Sequence, residues 1–592
     1  MTLRRARKNG NHVFSRLIEN FSVRYFLISI VIFSFFVLGL LVQMYRWQVA
    51  GHEGFVEMAE VLHISDERLP SSRGTIYAAD GSVLAVDEPV WGVYASLSTD
   101  EVEREFFSAQ RDQFILTVCD ILDLEEEEID KGLKEDFRYV LLKHGVSPED
   151  KKALEDSEIF GLYYEEEERR IYPDGTLASH VLGFVGKDED ANDIGMYGLE
   201  GYYSGDLLGQ EGFKYEEKDS LGNVILTGEY DPVIPRQGKN IVLTIRPGVQ
   251  REVERVLEEG VKEHEAKSGS AIIMDPSTGE IIAMATYPNY DPNYYWKTSD
   301  PETYKNKAIS DVYEYGSVNK PITLSMALEE DKITPKSICK DTQGYIDVYD
   351  WRIYTWDKLP DGNLLPKDIL RFSNNVCAAK VGMMVGIVSY YKYLREFGIG
   401  DFIGIGLEDE ATSYLRPLEE WTKLDVATAS FGQAISATPL QIISAISTIA
   451  NNGVRMRPYI VRKLYDDDET IEIKPEVASN PISEETAKEV QEMMRTVVTD
   501  GEAKWWFNVV SKYSIAGKTG TSQIPRLDGP GYYEDRSNVT FVGFSPQNDA
   551  QMIMLVRLEE PKSHTLSAYT VVPVWIEMFQ AVALELGIAP VD

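Results

Sequence analysis

Residues 316–328 read GSVNKPITLSMAL, which sets Ser317 and Lys320 three positions apart at the head of an apolar run. Residues three apart share one face of a helix, so the amine can reach the hydroxyl. A lysine buried in such a run has a lowered pKa and can take the serine proton, giving a nucleophile without histidine. The pair is short enough to recur by chance, and Ser337-Ile338-Cys339-Lys340 matches it too. Surroundings separate the two. Ser317 follows a glycine and opens a helix suited to a core, whereas Ser337 lies just after Pro335 and runs into polar residues. The spacing predicts Ser317 as nucleophile, Lys320 as its general base, and a loop at Ser337.

Two further short motifs follow. Ser373-Asn374-Asn375 stands before the apolar run VCAAKVGMMVG. A polar turn before a helix is ordinarily an N-cap; the functional reading has Ser373 relay a proton to a leaving group while the Asn375 amide holds a substrate backbone. Lys518-Thr519-Gly520-Thr521 ends the run YSIA and is the only Lys-Thr-Gly in the chain. A glycine inside a strand marks close approach of another backbone or a ligand. A cation flanked by two hydroxyls beside that bare edge suits a terminal carboxylate. The alternative is an ordinary strand end. The serines are 56 residues apart and Lys518 lies 145 residues after Ser373, room for an all-helical subdomain.

The rest of the chain sets limits. At 592 residues it exceeds one hydrophobic core, so two or three folded parts are expected. Hydrophobic residues at 43% exclude a disordered chain, and a net charge of −37 argues against duplex nucleic acid as partner. Three cysteines without a C-x-x-C pair and seven scattered histidines give no metal site or disulfide scaffold. One disulfide plus a free thiol stays open in an oxidising compartment. The first 24 residues hold six basic groups against Glu19 alone, followed by Tyr25 to Tyr45 without a charge. That run spans about 30 Å as a helix, enough for a bilayer. Arg46 and Trp47 follow directly where a cleaved signal would have small residues. We therefore expect a cytoplasmic tail at 1–24, a retained transmembrane helix at 25–45, and the remainder outside the membrane by the positive-inside rule.

Within that remainder, RGTIYAADGSVLAV (73–86) alternates around Asp80-Gly81 as a hairpin. From 100 to 168 the pattern reads helical and acidic, with Glu125–Glu128 and Glu165–Glu168 as solvated runs. The composition resets at 232–239, and we place a boundary there, between a strand-rich part at 46–235 and a second domain at 236–592. The latter opens with a strand (IVLTI), a helix over 247–266 and a hairpin turning at Pro276–Gly279. Its best-defined helix is TPLQIISAISTIANNG, with Thr438 as cap, Pro439 at the first position and Gly453 beyond the end.

Ser-x-x-Lys, Ser-x-Asn and Lys-Thr-Gly together form the motif set of β-lactamases and penicillin-binding proteins. From Arg73 almost to the end, the chain resembles a class B, monofunctional penicillin-binding protein. RGTIYAADGSVLA, RRIYPDGTLASHVLGFVG and GLEGYYSGDLLGQEG resemble its non-catalytic pedestal, while IIMDPSTGEIIAMATYPNYDPN, ATASFGQAISATPLQ and TFVGFSP resemble its catalytic part. Three departures are visible: Glu314-Tyr315-Gly316 for Glu-Pro-Gly, Gly432-Gln433-Ala434 for Gly-Gln-Gly, and Thr244-Ile245-Arg246 for Thr-Ile-Asp.

The resemblance implies an α/β (α+β) fold: an anchor helix, a strand-rich pedestal or dimerisation domain at 46–235, and a transpeptidase domain at 236–592 whose antiparallel sheet is flanked by helices. It implies a peptidoglycan D,D-transpeptidase acting on stem peptides through a serine acyl-enzyme, acylated by β-lactams and needing no cofactor or metal. Ser317, Lys320, Ser373, Asn375 and Lys518 would be catalytic, and Thr519, Gly520 and Thr521 would bind substrate. Backbone N–H groups of Ser317 and Thr521 would form the oxyanion hole. Implied partners are a SEDS-type glycan polymerase and membrane proteins of the divisome or elongasome. Two rival readings are a D,D-carboxypeptidase or β-lactamase-type hydrolase and a non-catalytic β-lactam-binding scaffold of division. Septal and side-wall roles are not separated, though Ser-Phe-Gly-Gln433 leans toward division.

Overall fold

The computed structural model describes residues 10–46, 48, 64–69, 71–96, 101–133, 139–189, 192–217, 233–526, 529, 531–547 and 549–590. Arg4, Arg5, Arg7 and Lys8 of the basic tail, the start of the expected pedestal at 49–63, and Pro232 at the compositional reset lie outside them. Two units are distinguished, one of residues 1–70 with 211–236, the other of 71–210 with 237–592. The first contains the helix Gly10–Tyr45 and an antiparallel pair, Ile64–Leu69 with Gly212–Glu217. Within that helix Tyr25–Tyr45 is 21 residues long, has mean hydropathy 2.7 and is long and apolar enough to cross a membrane.

The second unit is built on two sheets. A five-stranded antiparallel sheet runs Ile281–Tyr287, Ser268–Met274, Met552–Glu559, Tyr532–Ser545 and Ala516–Pro525, leaving the last as a free edge. Successive strand residues point to opposite faces, and the core divides accordingly. Ile272, Met274, Val542 and Phe544 join the cluster containing the helices Lys320–Glu329, Asn375–Val385 and Pro439–Ala450. Ala271, Ile273, Phe541 and Met554 pack instead against Pro247–Glu263 and Val571–Val582. The helix Pro439–Ala450 starts as its sequence requires: Thr438 Oγ1 accepts from Gln441 N–H at 3.2 Å, and Gln441 Oε1 accepts from Thr438 N–H at 3.0 Å.

In the other sheet, of seven strands, the long strand Val83–Ser96 pairs with Leu162–Ile171 and with Tyr139–Val146. Ile76–Tyr77 connects it to Asn240–Leu243, which pairs with Val461–Tyr465. Hydrogen bonds thus run across the compositional reset at 232–239, because strand pairing between distant segments leaves no mark in local composition. The 100–168 region departs from its helical expectation. Helices occur at Glu101–Leu122, Glu126–Gly132 and Pro148–Asp156, but Tyr139–Val146 and Leu162–Ile171 are strands. The run Glu165–Glu168 lies on the second of these. A row of carboxylates carries no period, and here its members find local partners: Glu167 accepts from Gly145 N–H at 3.1 Å and Glu168 from Ser72 Oγ at 2.6 Å.

The pedestal motifs meet in a buried ion network. Glu200, fully buried, takes Arg73 Nε on one oxygen at 2.6 Å and Arg170 Nε on the other at 2.7 Å, while Arg170 Nη1 reaches Asp87 at 3.0 Å. Cys339 and Cys377 form a disulfide, and Cys119 is free and buried.

Candidate active site

Gly316–Asn319 form a 3₁₀ turn that leads into the helix Lys320–Glu329, with Pro321 in the first turn where its missing N–H costs nothing. The turn puts Lys320 Nζ 2.9 Å from Ser317 Oγ. From the second motif, Asn374 rather than Ser373 is the helix cap, accepting from Cys377 N–H at 2.7 Å. Ser373 stands just outside the helix with φ +55, a left-handed conformation that is costly for serine. Its hydroxyl donates to Ser317 Oγ at 2.8 Å and accepts from Lys320 Nζ at 3.0 Å; Lys320 Nζ also donates to the Ser373 carbonyl and to Asn375 Oδ1 at 2.8 Å. From the edge strand, Lys518 Nζ reaches Ser373 Oγ at 3.2 Å and Thr519 Oγ1 at 3.1 Å. Three distant segments thus converge on two hydroxyls and two amines.

Both lysines are buried, at 0% and 1% exposure. Burial holds the Lys320 amine well below the usual lysine range, reinforced by the nearby Lys518 charge; burial, opposed by the Glu502 charge, brings Lys518 to about 7. A lysine that readily sheds its proton beside a serine hydroxyl is equipped to act as a base.

Gly520 is explained by the serine turn: a Cβ there would come 2.8 Å from the Tyr315 carbonyl and 2.6 Å from Val318 Cγ2. The close approach expected of this glycine is that of another backbone. The Thr521 hydroxyl lies 2.6 Å from Ser567 Oγ, whose own hydrogen bond reaches the Gly520 carbonyl. Ser337 is in a loop, its hydroxyl accepting from Thr334 N–H at 2.9 Å. Ser567, the Tyr354 carbonyl that accepts from Asn375 Nδ2 at 3.1 Å, and Glu314 were missed by the sequence reading. The first two carry no motif. Glu314 belongs to the triplet Glu314-Tyr315-Gly316, whose departure lies at Tyr315 and gives no sign of a role for the carboxylate.

The other departures have local consequences. Gly432 packs so tightly that a Cβ would lie 2.0 Å from the Gly316 carbonyl, whereas Ala434 adopts φ +58 although it has a side chain. That conformation costs an L-residue about 1–2 kcal/mol, partly offset by the lower unfolded-state entropy of alanine. Ala434→Gly should therefore raise stability by up to about 1 kcal/mol in chemical denaturation; a clear loss would contradict this account. Arg246 caps no N–H at the start of Pro247–Glu263.

Comparison with known proteins accords with this geometry. Residues 269–572 match the family model described as penicillin binding protein transpeptidase domain, and residues 68–243 match the penicillin-binding protein dimerisation domain. The chain belongs to the penicillin-binding protein transpeptidase family. Among curated members, Stage V sporulation protein D of Bacillus subtilis (strain 168) is 33% identical over 75% of this chain and 68% of its own length. Peptidoglycan D,D-transpeptidase FtsI of Escherichia coli (strain K12) is 26% identical over 87% of this chain and 84% of its own. Among solved structures, Penicillin Binding Protein 2X from Streptococcus thermophilus superposes with TM-score 0.74 at 25% identity, covering 89% of this chain and 81% of that one. The family is thus a serine acyltransferase fold preceded here by its dimerisation module, as the motif order implies.

Proposed function

We propose that this penicillin-binding protein is a membrane-anchored peptidoglycan D,D-transpeptidase with Ser317 as its acyl-carrying nucleophile. The observation that carries the assignment is the chain of contacts in which Lys320 and Ser373 both reach the Ser317 hydroxyl and Lys518 reaches that of Ser373. Neutral Lys320 takes the Ser317 proton as Oγ attacks the penultimate D-Ala carbonyl of a donor stem peptide. Backbone N–H groups of Ser317 and Thr521 receive the developing oxyanion, usually the largest single contribution in acyl transfer. Lys518, Thr519 and Thr521 hold the terminal carboxylate beside Gly520, and Asn375 holds the substrate backbone. Ser373, between both amines, passes a proton to the departing D-Ala. An amine from a second stem peptide then takes the acyl group, and a β-lactam imitates the donor but stays on Ser317.

In this reading the tail at 1–24 is cytoplasmic, residues 46–235 form the pedestal, and residues 236–592 form the transpeptidase domain outside the membrane. The glycan itself would come from a SEDS-type polymerase, met through the anchor and pedestal within the division or elongation machinery. Intact-mass measurement after penicillin treatment tests the nucleophile. The wild type and Ser337→Ala should each gain one penicillin mass, and Ser317→Ala none. An unmodified wild type, or label on Ser317→Ala, defeats the assignment.

A further inference from the structure

Glu314 lies three residues before the nucleophile, and among the described residues its carboxylate has only neutral hydrogen-bond partners. It accepts from Ala434 N–H at 3.1 Å and from the Tyr532 hydroxyl at 3.2 and 3.1 Å. Among the described residues no lysine, arginine or histidine forms an ion pair with it. Burial pushes its carboxyl above the usual carboxylate range. Taking a carboxylate out of water without a counter-ion is costly. The site is nevertheless open on one side, since Ala434 is exposed.

Its position relative to the substrate follows from the edge strand. Tyr532 stands in register with Pro525, four residues beyond Thr521. With the donor's terminal carboxylate at Lys518–Thr521 and its scissile carbonyl at Ser317, the rest of the stem peptide runs along this free edge toward Pro525. An extended chain advances about 3.3 Å per residue, so the stem-peptide residues before the scissile D-Ala run from Thr521 toward the Glu314–Tyr532 side. Cross-linking requires an amine on one stem peptide as acceptor, and donor and acceptor are copies of the same molecule. An uncross-linked donor therefore carries that amine too.

We propose that Glu314 is a specificity residue for the donor, its carboxylate pairing with the side-chain ammonium of the stem-peptide residue that precedes the scissile D-Ala. The pairing rests on the transpeptidase reading. Tyr532 and the Ala434 N–H hold the carboxylate in place and leave its charge for the substrate. No bond is made or broken at Glu314, which acts on donor binding alone.

The test uses three synthetic donors ending in D-Ala-D-Ala, identical except that the side-chain amine before the scissile residue is free, acetylated or succinylated. D-Ala release is measured on the full-length protein at several donor concentrations. Wild type should favour the free-amine donor over the acetylated one about tenfold, through its half-saturating concentration and with little change in maximal rate. In Glu314→Gln that ratio should fall to about one, and Glu314→Lys should instead favour the succinylated, carboxylate-bearing donor. Because the ratio is taken within each protein, a general loss of activity cancels. Equal use of the free and acetylated donors by wild type overturns the proposal, even if the variants fail to fold. A wild-type ratio retained in Glu314→Gln overturns it as well. A wild type that penicillin does not label would instead remove the underlying transpeptidase reading.

Discussion

Lys320→Met should lower the rate at which penicillin acylates Ser317 by about 10²–10⁴-fold, the usual contribution of a positioned general base. The side chains are close in length, so the buried space stays filled while the amine is lost. Among the described residues Lys320 Nζ is the one group within hydrogen-bond reach of Ser317 Oγ, Ser373 Oγ and Asn375 Oδ1 together. Stopped-flow labelling with fluorescent penicillin measures the loss. Wild-type acylation should rise with pH as Lys320 gives up its proton, and the residual rate in the methionine variant should lose that rise. A variant within fivefold of wild type would mean that another group removes the serine proton.

The same burial predicts how stability depends on pH. Lys518 titrates at about 7 in the fold against the ordinary 10.5, so between these values the unfolded chain binds more protons than the native one. Stability therefore rises with pH across that window, and below about 7 the fold bears the full cost of a buried charge. Lys320 is shifted in the same direction and adds to the slope. Denaturation midpoints measured from pH 6.5 to 9.5 should increase on this account, and less steeply in Lys518→Met, where the Lys320 contribution remains.

The parts legible in the sequence were those with short-range signatures. Ser317 and Lys320 share a face at i and i+3, Thr438 and Gln441 form a capping box, and Gly279, with φ +84, occupies the expected hairpin turn. What stayed hidden depends on long-range partners. Nothing in LYYEEEERRI announces a strand, because its partner Val83–Ser96, paired from Ala95 with Leu162 to Val86 with Ile171, lies far earlier in the chain and supplies the pairing. The Cys339–Cys377 bridge could not be chosen over either pairing with Cys119. It follows from the strand Cys339–Asp341 lying beside the helix that Asn374 caps. Ser567 reaches Thr521 from 46 residues away, and Glu314 meets Tyr532 across 218, so neither pairing has a local pattern to read. Catalytic groups were easier to find than their supports because the chemistry restricts residue type at short spacing, whereas support needs only a partner that fits.

Glu200→Gln should destabilise the protein by about 3–5 kcal/mol, the cost of removing one member of a buried charged set. Gln is nearly the same size, so packing is kept, but among the described residues Arg170 then keeps only Asp87 as a carboxylate partner and the Arg73 guanidinium keeps none. Arg73 Nη2 would keep its bond to the Glu200 carbonyl at 3.0 Å, which limits backbone movement and isolates the effect of charge. The guanidinium of Arg170 is 4% exposed and cannot turn to water for compensation. A surface pair provides the contrast. Arg255, 43% exposed and bound to Glu252 and Glu259 on its own helix, should lose less than about 1 kcal/mol on change to Gln. Urea unfolding of the two variants side by side measures the difference. Equal losses would show that the Arg73–Glu200–Arg170 set is solvated in solution, and the motif residues at 73, 170 and 200 would then need another reason to meet.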